Sequence, residues 1–232
     1  PEGEAPPALG PGQAQARLRA YRAAALDHAD TLAGGFGEVA KFPMVPQVRL
    51  LLALPPGIRG GEAGDFLRLT LDAMASGGLR DHLGGGFFRY VVEPHWREPH
   101  FEKMLYDNAQ LAWLYLEAGE RLDAPRYTRV ATDTLDFLLE RMATPRGTFI
   151  SSLSAVDGEG EEGGYYLWSE ADLERLLNEP ERRVARALWQ LQGEPPFSAG
   201  HLPLGGTTPA AVAQALGLAP ERARALASSA RE

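Results

Sequence analysis

Three of the five histidines, His82, His95 and His100, fall within 19 residues of one another. Residues 81–108, around them, carry Asp81, Arg89, Tyr90, Trp96, Glu102, Lys103, Tyr106, Asp107 and Asn108. An imidazole changes charge near neutrality, so His82 and His100 are candidates for moving a proton. Two such bases on opposite faces of an opened sugar would make an epimerase. Two carboxylates spaced to admit a water would make an inverting glycoside hydrolase, and Asp81, Glu102 and Asp107 are the candidates. Arg89 would orient hydroxyls or stabilise charge, while Tyr90 and Trp96 would offer hydrogen bonds and a stacking face. The bland alternative is a set of loop histidines that only cap and pack. His95 and His100 are five apart with Pro99 between them, so they do not share a helical face. No metal site and no cofactor is expected.

Other chemistries fall away. Gly84 to Gly86 is not followed by Lys-Ser/Thr and opens no G-x-G-x-x-G helix, so neither a phosphate loop nor a dinucleotide fingerprint exists. His100-Phe101-Glu102 matches half of a zinc deaminase signature whose other half needs two cysteines, and Cys is 0. The 23 basic against 31 acidic residues leave a formal charge of −8 and no basic run. A nucleic-acid partner is therefore not expected. No apolar run approaches 18 residues, so no membrane span is expected either. No signal-peptide pattern opens the sequence, and the expected location is cytoplasmic.

The basic residues are unevenly chosen: only Lys41 and Lys103 are lysines, the rest arginines. Where a chain drifts so far toward Arg, a retained compact ammonium is a pointer. With a helix expected from Phe101, Lys103 sits near a helix N-terminus, which the dipole disfavours, and Asp107 is its i+4 partner. That placement calls for an anchored ion pair or a ligand contact.

These residues need positioning elements. Residues 1–12 read as a Pro/Gly-rich linker or tail. Helices are expected over 13–33, 46–54, 62–76, 101–121, 125–142, about 170–177, 180–192, from Pro209 to Gly217, and from Pro220 on. Phe87 to Val92 reads as a short strand, and 147–151 and 164–168 as two more around the acidic turn Asp157–Gly163. Ser169-Glu170-Ala171-Asp172 is a capping-box pattern. The class is mainly α, with one or two small hairpins and no strand–helix alternation for a parallel sheet.

The blocks GGFGEVAKFP (34–43), GGLRDHLGGGFFRY (77–90), PHFEKMLYDNAQLA (99–112) and EGEEGGYYLW (159–168) resemble the thioredoxin-domain-containing family related to spermatogenesis-associated protein 20 and the bacterial YyaL proteins. The resemblance runs over residues 30–215. It implies an N-terminal thioredoxin-like domain followed by an (α/α)6 toroid of the six-hairpin glycosidase type, similar to N-acylglucosamine 2-epimerases. It implies fold more firmly than activity. Lys41, Lys103 and Asn108 all lie inside the matching blocks. One departure stands out: Ala155-Val156-Asp157 replaces an Asp-Ala-Asp element, and if the first Asp were catalytic this chain would be impaired. A ring of twelve helices needs about 240 to 310 residues. Residues 13–232 are therefore expected to be the N-terminal part of a toroid, an incomplete one.

The expectation is a sugar-active or sugar-binding toroid with epimerase-like or glycosidase-like chemistry and a saccharide as ligand. His82, His100, Glu102, Asp81 and Asp107 are its catalytic candidates, and Lys41, Arg89, Tyr90, Trp96, Lys103, Tyr106 and Asn108 its binding candidates. The alternative is a non-catalytic interaction domain serving an attached thioredoxin module. An incomplete ring would expose apolar helix faces, so self-association, or pairing with the missing half, is expected.

Overall fold

A computed structural model describes residues 10–232; the first nine residues of the expected linker lie outside them. Ten α-helices dominate the described chain. The first four are α1 (Pro11–Asp27), α2 (Val45–Ala53), α3 (Pro56–Arg59) and α4 (Glu62–Ser76). Next come α5 (Leu105–Arg121) and α6 (Pro125–Phe137), which runs on as a π-helical turn, Leu138–Met142. The last four are α7 (Glu170–Leu176), α8 (Glu179–Trp189), α9 (Pro209–Leu216) and α10 (Pro220–Arg231). No helix among the described residues is long and apolar enough to cross a membrane.

Spacing explains the helices. In α4, Phe66, Leu67, Thr70, Leu71 and Met74 are buried on one face, and in α5, Leu111, Ala112, Leu114, Tyr115 and Ala118 are. These stripes meet Val48 and Leu52 of α2 and Tyr127 and Val130 of α6 in the main core. A second core joins Leu173, Val184, Leu188, Trp189, Val212 and Leu226 of α7 to α10. Caps set the ends: the side chain of Ser169 accepts from the Asp172 amide before α7, and that of Thr208 from the Ala211 amide before α9.

Two antiparallel two-stranded sheets stand between α4 and α7. β1 (Tyr90–Val91) pairs with β2 (Pro99–His100), and β3 (Lys103–Met104) with β4 (Ser152–Leu153). This corrects the expected helix over 101–121. Its first turn is extended, because the Pro99–Met104 backbone finds partners in β1 and β4 rather than in itself. The expected pairing of Lys103 with Asp107 goes with it. The expected strands at 147–151 and 164–168 are only isolated bridges, Ala143 to Phe149 and Trp168 to His201. α1 is also shorter than expected. Its C-cap at His28 leads into a loop in which the Asp30 side chain accepts from the Leu32 and Ala33 amides.

Candidate functional site

The loops before α2 and α5 meet in one band. Lys41 exchanges backbone hydrogen bonds of 2.9 and 3.0 Å with Val91, which joins the first loop to β1. The Arg89 amide donates to the Glu102 carbonyl at 2.8 Å, so β1 runs beside the segment that leads into β3. This band carries the candidate residues, and it sorts them into two groups.

The first group is buried framework. Lys103 is 1% exposed, and its ammonium donates to Asp81 Oδ2 and the Gly85 carbonyl, both at 2.7 Å. The rings of Phe88, Phe137 and Tyr166 surround it at 4.6–5.0 Å. Burial pulls this ammonium below its ordinary value, and Asp81 opposes the fall. Lys41 is fully buried, donating to Asp30 Oδ2 at 2.5 Å and the Gly34 carbonyl at 2.7 Å. Trp96, at a left-handed φ of 62°, closes over this pair and donates from Nε1 to the Ala33 carbonyl. Asn108 is equally buried. It accepts from the Phe87 amide and donates to the Phe87 and Met104 carbonyls, tying the glycine loop to α5. The expectation of ligand contact at Lys41, Trp96, Lys103 and Asn108 does not fit this burial: their polar atoms are spent on the protein.

His82 belongs with the framework too. It packs against Gly205 and donates from Nε2 to the Gly77 carbonyl at 2.9 Å. Burial, with Arg80 adding, pushes its imidazole down to about 4. A base that weak is a poor match for chemistry near neutrality. No described contact brings it together with His100.

The second group is open and assembled. Arg89 pairs with Glu102 at 2.9 Å. The hydrogen bond it donates to Glu102, and then the neighbouring Tyr106 hydroxyl, raise the guanidinium further. Asp107, in the first turn of α5, is pushed up to about 6 by burial; Arg89 and then Tyr106 oppose the rise, and Glu102 adds a little to it. Its Oδ2 and the Arg89 Nε are both buried, and neither finds a hydrogen-bond partner in the described protein. Beside this cluster lies an aromatic shelf. Phe42 stacks on Tyr90 at 4.7 Å, and Tyr90 faces the His100 ring at 5.1 Å. His100 Nδ1 donates to Glu162 Oε1 at 2.7 Å.

The acidic turn is therefore part of the arrangement. The Asp157 side chain accepts from the Glu159 and Glu161 amides and shapes it. Glu161 reaches Ser198 on the rim of a cleft of about 500 Å³ lined by Arg186, Gln192, Ser198 and His201 among others. Ala155, half-buried, packs against the apolar cluster of Phe88, Phe101, Leu167 and Leu202. The described residues hold no cluster of three or more metal-ligating side chains. Phe42 and the His201 cleft are not among the sequence candidates. The acidic turn is legible as a turn, but nothing in its spacing points to His100.

A mainly helical chain with two small antiparallel sheets between its helices, this is a partial (α/α)6 toroid. It is similar in fold to a sugar epimerase from a ruminal bacterium, with a TM-score of 0.50 at 12% identity over 73% of this chain and 48% of that one. Relatives by sequence include spermatogenesis-associated protein 20. The human protein is 38% identical over 157 residues, which is 63% of this chain and 20% of that protein. An uncharacterised protein of Caenorhabditis elegans is 30% identical over 162 residues, 65% of this chain and 22% of that protein. The chain thus spans about a fifth of the length of the curated relatives it matches. No protein-family model matches it.

Proposed function

We propose that this toroid portion binds, and acts on, a saccharide at the Arg89–Glu102–Asp107 cluster and its aromatic shelf. One observation carries the reading: a half-buried carboxyl, Asp107, has an unpartnered oxygen and holds its proton to about pH 6 beside a guanidinium–carboxylate pair. A general acid toward a sugar must still hold its proton close to neutrality, which an ordinary carboxyl does not. Arg89 and Glu102 would hold hydroxyls in place. Phe42, Tyr90 and His100 would receive the apolar face of a sugar ring. A fold shared with a sugar epimerase agrees with this reading and names no reaction. The test is saccharide binding and turnover by the chain and by its full-length form. If His100→Ala and Glu102→Ala leave both unchanged, the reading is wrong.

A second reading has its own observation. Trp113, Leu116, Leu135 and Leu139 are exposed along α5 and the α6 region, beside a small apolar groove. Such a face suits a non-catalytic domain that serves an attached thioredoxin module. Stable protein partners in a pull-down, with no sugar-dependent shift in melting, would favour it.

A further inference from the structure

Two loops of this chain are built to one plan. Asp30-Thr-Leu-Ala-Gly-Gly-Phe36 and Asp81-His-Leu-Gly-Gly-Gly-Phe87 place Asp, Leu, Gly, Gly and Phe at matching positions. The contacts match as well. In each, Asp Oδ1 accepts two amides, those of Leu32 and Ala33 or of Leu83 and Gly84. In each, the Asp amide donates to the second glycine's carbonyl, Gly35 or Gly86. Both glycines have positive φ, 76° and 78° in one loop and 81° and 73° in the other, which only Gly adopts freely. The residue before each Asp bridges to each Phe. In each, a buried lysine from further along clamps Asp Oδ2 and the first glycine's carbonyl. Besides Thr31 against His82 and Ala33 against Gly84, the loops differ in the distance to their lysines. Phe36 and Lys41 are 5 positions apart, whereas Phe87 and Lys103 are 16 apart, and the longer span holds β1, Trp96 and β2.

We propose that Asp30–Lys41 and Asp81–Lys103 are twin positioning clamps, each setting the residue beside its lysine, Phe42 or Glu102, at the shared site. Phe42 follows Lys41 and stacks on Tyr90; Glu102 precedes Lys103 and pairs with Arg89. A buried ammonium held by two acceptors restrains the backbone on either side of it. A buried ion pair is seldom more stabilising than an apolar pair of the same shape, so geometry explains its presence better than stability does. The choice of Lys in an Arg-rich chain fits too. A compact ammonium fills the cage of Phe88, Phe137 and Tyr166, and a planar guanidinium fork does not. The inference rests on the Arg89–Glu102–Asp107 cluster being the working site. Its readouts need no sugar, so its failure is separate from that of the sugar reading.

The experiment uses the 232-residue chain and two NMR signals: the carboxyl titration of Asp107 and the stacking of the Phe42 ring on Tyr90. In the double variant Asp81→Asn/Lys103→Met, Glu102 should leave Arg89, and the Asp107 midpoint should fall by about 1 unit. The Phe42–Tyr90 stack should persist. In Asp30→Asn/Lys41→Met the reverse is expected: the Phe42 ring comes away from Tyr90, and the Asp107 midpoint stays at its wild-type value. Folded variants that keep both signals at their wild-type values would overturn the proposal, as would either variant losing both. If the doubles do not fold, Lys103→Arg and Lys41→Arg, which keep the charge, decide by the same two signals.

Discussion

His100 and Glu162, 62 residues apart in the chain, meet at 2.7 Å and join the aromatic shelf to the acidic turn. Both are partly exposed, and such a pair contributes about 0–1 kcal/mol to stability. Glu162→Gln should therefore melt within about 0.5 kcal/mol of the wild type. Saccharide retention should fall in both Glu162→Gln and His100→Ala. Unchanged retention in both would remove the shelf from the site.

Asp107 should leave a mark on the pH dependence of stability. Its carboxyl titrates at about 6 in the folded chain and near 4 when unfolded. Between those values the native state holds a proton that the unfolded state has released, so stability falls as pH rises from about 4 through about 6. Asp107→Asn should lack that contribution. Denaturant unfolding of the two proteins at pH 4.5 and 7 checks it: the wild type should lose more stability than the variant, and equal losses would contradict the assignment.

Asn108 should matter to folding rather than to binding. Asn108→Ala leaves the Phe87 amide without its buried partner and deprives two carbonyls of a donor. A loss of about 3 kcal/mol is expected in denaturant unfolding. A cost below about 1 kcal/mol would mean that the loop re-pairs by itself.

The apolar face around Trp113 should make the chain associate. Sedimentation at rising concentration is expected to show self-association, and Trp113→Glu to reduce it. A monodisperse wild-type monomer would count against that expectation.

How much of the fold and site is legible in the sequence depends on how local the cause is. α4 lies where its stripe of Phe66, Leu67, Leu71 and Met74 puts it, and Ser169 and Thr208 cap the helices their spacing announces. The error at 101–104 comes from starting a helix at Phe101, just after Pro99. Whether that backbone coils or extends is decided by Tyr90 and Leu153, its partners in the sheets. The lysines stand out as odd by composition alone, but their partners, 11 and 22 residues earlier in sequence, follow from no helical spacing. The repeated Asp-x-Leu-x-Gly-Gly-Phe is visible in the sequence. Its meaning depends on both lysines returning to the same two atoms of each loop.

The burial of Lys41 and Lys103 has a practical side. They are the only lysines in the sequence, and folding hides both. Reagents and enzymes that acylate or conjugate lysine side chains find none on the native surface. Any such tag, placed on either residue, records a moment when that loop had opened. The chain thus carries two built-in reporters of local unfolding, one beneath each half of the proposed site.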